Sequence, residues 1–298
     1  MALTDTATRF LFYSKSLGVS FSETLTIGRL ALKINPLLIN EMAQKYHLPA
    51  AENIYSPGNK SYAEPLFCML GATKADSLDY SDYEGATIIH DMNYSIPTEY
   101  KNKYSVVIDG GSLEHIFNFP TAIKNCMTMV CEGGHFISFA PLNNLMGHGL
   151  YQFSPELFYR VFSSENGFKV INMFMVAANF YVDTPEWYLV KDPKEINERV
   201  MLSNKHPTYV LLLAQKLNDV ALFSAFPSQS DYDVAWKNTN NKTEPAPITG
   251  KINLLYRKLF TEKTRYRLRK IYNKYIRRTD KAENLEKINK DFFKKYSS

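Results

Sequence analysis

Three aspartates stand where a folded chain could use them for binding. Asp79, Asp91 and Asp109 each follow a short apolar segment, and the last two of these segments read ATIIH and YSVVI. Short apolar segments that alternate with helical patterns predict parallel strands buried on both faces. The carboxyl ends of such strands share one edge of the sheet, so we expect the three carboxylates to open loops on that edge.

Carboxylates at this edge suit a nucleoside. Asp79 follows the second predicted strand and can accept hydrogen bonds from both hydroxyl groups of a ribose. Asp91 follows the third strand and can accept from an adenine amino group, with Met92 lying against the base. Each aspartate taken alone is better explained as a helix cap or an Asx turn. Their common placement favours the binding interpretation.

The elements that must position these side chains alternate along the chain. Serine followed by proline, as in Ser154-Pro155, is a strong signal for a helix start. The order predicts an α/β fold whose parallel sheet is covered on both faces. Strands are predicted at 23–28, 75–78, 86–90, 104–108, 135–139, 169–177 and 208–214, helices at 62–70, 119–130 and 154–162, and a turn at 133–134.

Residues 62–168 resemble class I S-adenosylmethionine-dependent methyltransferases, especially a bacterial subgroup with segments like SLDYSDYEGATIIHDMN, VVIDGGSLEHIFN and GHGLYQFSPELFYRVF. The resemblance implies a Rossmann-like, mostly parallel seven-stranded sheet with helices on both faces, ending in an antiparallel hairpin formed by residues 169–177 and 208–214. It also implies S-adenosylmethionine as cofactor. The residues then expected to bind it are Gly28, Asp79, Tyr80, Asp91, Met92, Asp109 and Gly110.

The sequence departs from the family pattern after the first strand. Such enzymes usually carry a glycine-rich loop there, whereas this chain reads TIGRLAL with Gly28 as its one glycine. Arg29 and Leu30 would crowd a cofactor unless the loop takes another path. The unusually long distance to Asp79 predicts an insertion at 29–60, which could act as a lid. A catalytically silent scaffold with the same fold is therefore an open alternative.

A second group of residues follows Asp109. Glu114 and His115 form an LEH segment, and His148 lies in a later GHG loop. In some methyltransferases that act on hydroxyl groups, an ExxEH motif and a later histidine bind a divalent cation; here Gly111 replaces the first glutamate. We predict the version without a metal, in which a histidine is the general base. The alternative is that Glu114 and His115 cap the next helix. The candidate catalytic residues are Asp109, Glu114, His115 and His148.

Charge divides the chain into a body and a tail. Residues 251–298 hold 16 Lys or Arg and 5 Asp or Glu, a net charge of +11, whereas residues 1–250 carry −6. We predict a methyltransferase-like Rossmann domain at 1–217, a linker at 218–250 and a basic helical tail at 251–298. The tail suits docking on the acidic body or a protein partner, an anionic membrane surface, or, less well, nucleic acid.

Composition limits the location and the class of the protein. No apolar run approaches the roughly 20 residues that span a bilayer, and the first nine residues do not look like a secretory signal. The three cysteines, Cys68, Cys126 and Cys131, fit reduced thiols. We expect a cytoplasmic protein, with contact at the inner membrane surface left open for the tail. The expected activity is O-methylation of a small or glycan-like hydroxyl substrate. A nucleotide-dependent enzyme is a weaker alternative, because nothing in the sequence resembles a phosphate-binding GxxxxGK[ST] loop.

Overall fold

A large mixed sheet forms the centre of the computed structural model, which describes residues 2–48, 54, 61–177, 185–232, 260–267, 281–289 and 292. The strands are β1 (Ala2–Leu3), β2 (Glu23–Ile27), β3 (Ala31–Leu32), β4 (Lys74–Asp79), β5 (Ile88–Ile89), β6 (Tyr104–Asp109), β7 (Val130–Asn143), β8 (Phe168–Ala177), β9 (Glu186–Val190), β10 (Met201–Ser203), β11 (Thr208–Lys216), β12 (Lys281–Glu283) and β13 (Leu285–Ile288). The helices are α1 (Asp5–Ser16), α2 (Pro36–Lys45), α3 (Glu64–Met69), α4 (Phe119–Met129), α5 (Pro155–Val161) and α6 (Pro193–Ile196), and residues 262–267 are also helical.

The central sheet has the order β13-β9-β8-β11-β7-β6-β2-β4-β5 within the described residues. Strands β5, β4, β2, β6 and β7 run parallel to one another, in the 3-2-1-4-5 order of a doubly wound fold. The predicted α/β class is confirmed. Strand β11 pairs antiparallel with both β7 and β8, as expected for the terminal hairpin.

The predicted count of seven strands is wrong, because the sheet contains nine. Strand β9 pairs antiparallel with β8, and β13 pairs antiparallel with β9, so two more strands extend the edge beyond the hairpin. The sheet is therefore evenly mixed instead of mostly parallel. The predicted turn at Gly133-Gly134 also proves to be an irregularity inside β7, where the pairing with β6 jumps from Val130 to His135.

Alternating strand residues bury both faces of the sheet. On β6, Val107 packs into one apolar layer with α4 and α5, whereas Val106 and Ile108 pack into the opposite layer with α1 and α3. Period-two alternation of apolar side chains produces these two layers. The parallel strands therefore sit between helices, and their carboxyl-terminal loops are the part of the sheet left open.

Helix starts follow the local chemistry of the sequence. Ser154 Oγ accepts a hydrogen bond from Leu157 N at 3.2 Å, and Pro155 opens α5 as predicted. Asn35 caps α2 in the same way. Helix α2 buries Leu38 and Ile39 in the apolar layer beside α1, so this part of the predicted 29–60 insertion packs into the fold. The lid role of the insertion stays a prediction.

The basic tail is not helical throughout. Residues 281–283 and 285–288 form β12 and β13, and Lys287 of β13 pairs with Glu186 of β9. Here a tail lysine docks on an acidic side chain of the body. The predicted helical tail at 251–298 lies mostly outside the described residues. In the described part of the chain, no helix is both long and apolar enough to cross a membrane.

Phe174 offers a test of this packing. Its buried ring lies 5.8–5.9 Å from the rings of four aromatic residues, so Phe174→Ala leaves a cavity between β8, α1 and β9. We expect a loss of about 3–5 kcal/mol in the free energy of unfolding. Urea titration measures it, with Phe226→Ala as the control because Phe226 is 88% exposed. Equal small losses in both variants would contradict the packing described.

Candidate functional site

A cleft of about 320 Å³ opens at the carboxyl edge of the sheet, where the loops after β2, β4, β5 and β6 meet. This is the point where strand order reverses between β2 and β6, the usual ligand position in doubly wound sheets. Six of the predicted site residues line it together: Gly28, Asp79, Tyr80, Asp91, Met92 and His115. Sequence reasoning did not single out the other lining residues: Ile27, Leu78, His90, Asn93, Ser112 and Ile116.

Gly28 opens the cleft without a glycine-rich loop. Its φ of 77° lies in the left-handed region that favours glycine, and its N–H donates to Leu78 O at 2.6 Å. The next side chain, Arg29, turns away and binds Glu64 Oε1 at 2.7 Å and Glu84 O at 2.7 Å. Leu30 is buried in the apolar layer. Neither side chain lines the cleft, so the expected crowding does not occur.

Asp79 and Asp91 face the same cleft with part of each carboxylate available. Asp79 Oδ1 accepts from Tyr80 N at 2.7 Å. Asp91 Oδ1 accepts from Asn93 N at 2.9 Å and from Asn93 Nδ2 at 2.8 Å, so the Asx-turn interpretation holds for this oxygen. Within the described residues, the hydrogen bonds of both side chains use Oδ1. Each Oδ2 therefore remains an acceptor for a ligand.

Asp109 is not on the cleft surface. Its fully buried carboxylate accepts from Ser112 N at 2.9 Å and Leu113 N at 3.2 Å through Oδ1, and from Ser138 Oγ at 2.7 Å through Oδ2. Burial raises its pKa. Asp109, predicted to bind the cofactor and to act in catalysis, is therefore not among the residues that line the cleft. Asp109 instead holds the turn that carries Glu114 and His115.

Gly110 also departs from its predicted role. A Cβ on Gly110 would lie 2.5 Å from Leu30 Cδ2, so the missing side chain makes room for Leu30 and not for a cofactor. Ser112, which the sequence analysis overlooked, lines the cleft and donates its hydroxyl to Ile27 O. The sequence did contain a signal for Ser112, because a short polar side chain three residues after an aspartate commonly takes part in a turn.

Glu114, His115 and His148 come together beside the cleft. Glu114 Oε1 lies 3.3 Å from His148 Nε2 and 3.9 Å from His115 Nε2, and the two imidazole centroids are 5.2 Å apart. Glu114 is 1% exposed, whereas both histidines are about half exposed. A buried carboxylate thus underlies two histidines that solvent or a substrate can reach.

The loop with His148 is pressed onto the turn with Glu114. Leu150 N and Tyr151 N donate to Glu114 O at 2.7 and 3.2 Å. A Cβ on Gly149 would lie 2.8 Å from Glu114 Cγ, and Gly149 has a φ of 77°, so glycine is required at this approach. Gly149 of the GHG segment thereby allows His148 to reach Glu114.

Burial sets the protonation of this group. It raises the pKa of Glu114 to about 8, with the nearby Asp109 carboxylate adding to the effect. Burial and the neighbouring His148 lower the pKa of His115. His115 is therefore neutral at pH 7 and has a nitrogen able to accept a proton.

The same three side chains have the donor types of a transition-metal site. Their ligand atoms all lie within 4.8 Å of one another, and the buried Glu114 Oε2 has no hydrogen-bond partner. One carboxylate and two imidazoles suit zinc and leave a fourth position open. The geometry therefore allows both a metal-free base and a metal centre, and the predicted absence of a metal stays a prediction.

Comparison with known proteins finds resemblance in structure alone. No protein-family model matches the chain, and no curated protein matches it. TehB from Haemophilus influenzae aligns at a TM-score of 0.35 and 13% identity, over 68% of this chain and 61% of that one. The 1,6-didemethyltoxoflavin-N1-methyltransferase of Burkholderia thailandensis, solved with S-adenosylhomocysteine, aligns at 0.36 and 9%, over 70% and 79% of the two chains.

A third similar structure is that of a synthase. The branched-chain polyamine synthase of Thermus thermophilus, in complex with N4-aminopropylspermidine and 5′-methylthioadenosine, aligns at a TM-score of 0.35 and 10% identity, over 74% of this chain and 59% of that one. Such distant alignments assign no activity to this chain. Its function is therefore inferred from the residues of its own cleft.

The pH dependence of stability tests the burial of Glu114. A folded pKa near 8, above the value of about 4.5 in the unfolded chain, gives stability that is full at low pH and falls as the pH rises towards 8. In EDTA, we expect the native protein to lose about 3–4 kcal/mol more than Glu114→Gln between pH 5 and pH 8.5. Urea unfolding at both pH values measures the difference.

The matched control for this experiment is Glu99→Gln, because Glu99 is exposed. That variant should lose stability with pH as the native protein does. A Glu114→Gln variant with the native pH dependence would contradict a buried, mostly protonated Glu114.

Proposed function

We propose that this chain is an S-adenosylmethionine-dependent methyltransferase that methylates a hydroxyl group of a small or glycan-like acceptor. One observation carries the proposal: two carboxylates placed for an adenosine, Asp79 and Asp91, line the same cleft as a neutral histidine, His115. The cleft lies at the reversal of strand order in a doubly wound sheet, where nucleoside ligands commonly bind.

The cofactor roles follow from the side chains that line the cleft. Asp79 has an oxygen available for the ribose hydroxyls, and Asp91 has one for the adenine amino group. Met92, which is largely buried, offers an apolar side chain for one face of the base, and the exposed Tyr80 ring stands at the mouth. Gly28 leaves its side of the cleft free of side-chain atoms, so the backbone can approach the cofactor closely.

When bound, S-adenosylmethionine supplies a methyl group that its sulfonium already activates, so the protein must chiefly align the acceptor and remove a proton. His115 is the residue placed for that task, because it is neutral at pH 7 and lines the cleft. Its imidazole would take the hydroxyl proton of the acceptor as the methyl group is transferred to the acceptor oxygen. The transfer would leave a methyl ether, S-adenosylhomocysteine and a protonated His115.

Glu114, His148 and Asp109 act around that step. Glu114 is a positioning residue, since its buried carboxyl lies 3.3 Å from His148 and 3.9 Å from His115 and underlies both rings beside the cleft. Asp109 is a positioning residue, since its hydrogen bonds to Ser112 N and Leu113 N fix the turn on which His115 stands. A metal held by Glu114, His115 and His148 would be the alternative means of lowering the pKa of the acceptor hydroxyl.

Calorimetric titration with S-adenosylhomocysteine tests the proposal. The native protein should bind it, and Asp79→Asn should weaken binding at least about tenfold, because a charge-assisted hydrogen bond to the ribose contributes about 1.5–3 kcal/mol. Asp82→Asn is the control, since Asp82 lies in the same loop but does not line the cleft.

Two results would count against the enzyme. No heat from the native protein at high micromolar ligand would favour a catalytically silent scaffold with this fold. Equal weakening by Asp79→Asn and Asp82→Asn would remove Asp79 from the cofactor site.

A further inference from the structure

The two segments that hold the histidines carry almost no charge. Residues 111–118 read GSLEHIFN and residues 142–154 read LNNLMGHGLYQFS, without a lysine, arginine or aspartate. Glu114 is their one acidic residue, and it is buried. In the whole chain, by contrast, 22% of the residues are charged. The low charge is therefore a local feature of the two segments that carry His115 and His148.

These neutral segments expose large apolar side chains. Phe117 is 77% exposed, Met146 is 91% exposed and Leu150 is 62% exposed, although each lies within two residues of His115 or His148. The two segments that carry them lie against each other, since Leu150 N donates to Glu114 O and Tyr151 OH donates to Phe117 O. Exposed apolar side chains on adjoining segments of an otherwise polar surface commonly mark a binding site. We name Phe117, Met146 and Leu150 the apolar rim.

The rim stands on a fixed backbone. Asn144 Nδ2 donates to His206 O at 2.8 Å and anchors the start of the loop, while Leu145 N donates to Gln152 Oε1 at 3.0 Å and closes it. Tyr151 OH donates to Phe117 O at 2.7 Å and joins the loop to the turn after β6. Local hydrogen bonds therefore hold the exposed apolar side chains in place.

From this arrangement we infer that the acceptor bears its hydroxyl on an uncharged ring with an apolar face. The inference rests on the proposed function and specifies its substrate class. A ring of this kind, such as a pyranose or a phenol, can lie on the Phe117 ring beside Met146 and Leu150 while its hydroxyl points to His115. Ring stacking uses the exposed apolar area that the rim offers.

Charge argues against an anionic acceptor. The segments around the histidines contain no lysine or arginine, and Asp79 and Asp91 stand in the adjoining cleft. An anion placed here would lose hydration without gaining a cationic partner from these two segments and would be repelled by both carboxylates. A nucleic acid, whose affinity depends on phosphate contacts with basic residues, is disfavoured for the same reason.

Two matched pairs of rings test the inference in the protein loaded with S-adenosylhomocysteine. One pair is methyl β-glucoside and methyl β-glucuronide, and the other is p-cresol and p-hydroxybenzoate; within each pair a carboxylate replaces a neutral group. The readout is the methyl resonance of Met146 in protein carrying ¹³C-methyl methionine, assigned with Met146→Leu. Met201, which is also exposed but lies on β10, is the internal control.

We expect the neutral member of at least one pair to shift Met146 and not Met201, with at least tenfold weaker binding of its anionic partner. Phe117→Ala should abolish that shift, whereas Phe226→Ala, at another exposed aromatic residue, should keep it. Both variants should bind S-adenosylhomocysteine like the native protein, because neither residue lines the cofactor cleft.

The inference is overturned if neither neutral ring shifts Met146 at tens of millimolar, or if the anionic member of a pair binds as well as the neutral one. If either result is obtained while S-adenosylhomocysteine still binds normally, the inferred substrate class is wrong and the proposed function is not affected. Loss of S-adenosylhomocysteine binding in the native protein would instead remove the proposed function itself.

Discussion

Parallel pairing of β2 with β4 and β6 is the constraint on which the site depends. The three strands end at the same level, since Ile27 pairs with Leu78 on one side and with Asp109 on the other. The chain must leave all of them at one edge, and the loops that follow bring Gly28, Asp79 and His115 to a single cleft. Residues far apart in sequence thus become neighbours through backbone hydrogen bonding alone.

Two buried carboxylates, Asp109 and Glu114, shape the turn after β6 at this edge of the sheet. Asp109 is satisfied by Ser138 and by two backbone N–H groups, so it fixes the turn after β6. Glu114, on that turn, is buried without equivalent partners and keeps Oε2 unbonded. An unsatisfied buried oxygen destabilises the fold, and such strain is typically retained where a function uses the group. Its position under His115 and His148 is consistent with that use.

Seven of the strands, three of the helices and the meeting of Asp79 and Asp91 at one cleft could be predicted from sequence. Apolar runs that end in Asp79 or Asp91 mark parallel strands locally, and Ser154-Pro155 marks a helix start from its own capping chemistry. These signals depend on neighbouring residues, so no knowledge of the tertiary structure was needed to read them.

The missed features depend on contacts distant in sequence. Strand β13 has a polar sequence, LEKI, and is a strand because β9 offers an open edge to pair with. The sequence VVID does not show whether the carboxylate of Asp109 faces a cleft or the interior. In the structure it faces the interior, where the hydroxyl of Ser138 on β7 donates a hydrogen bond to it. The closeness of His148 to Glu114 likewise rests on Gly149, whose packing cannot be read from a GHG triplet.

A crystal structure of the complex with S-adenosylhomocysteine is the most direct test of the central claim. We expect the ribose hydroxyls within hydrogen-bond distance of Asp79, the adenine amino group at Asp91, and the sulfur directed towards His115. Density for the ligand at another place, or an adenosine bound without contact to either carboxylate, would contradict the assignment of this edge as the cofactor site.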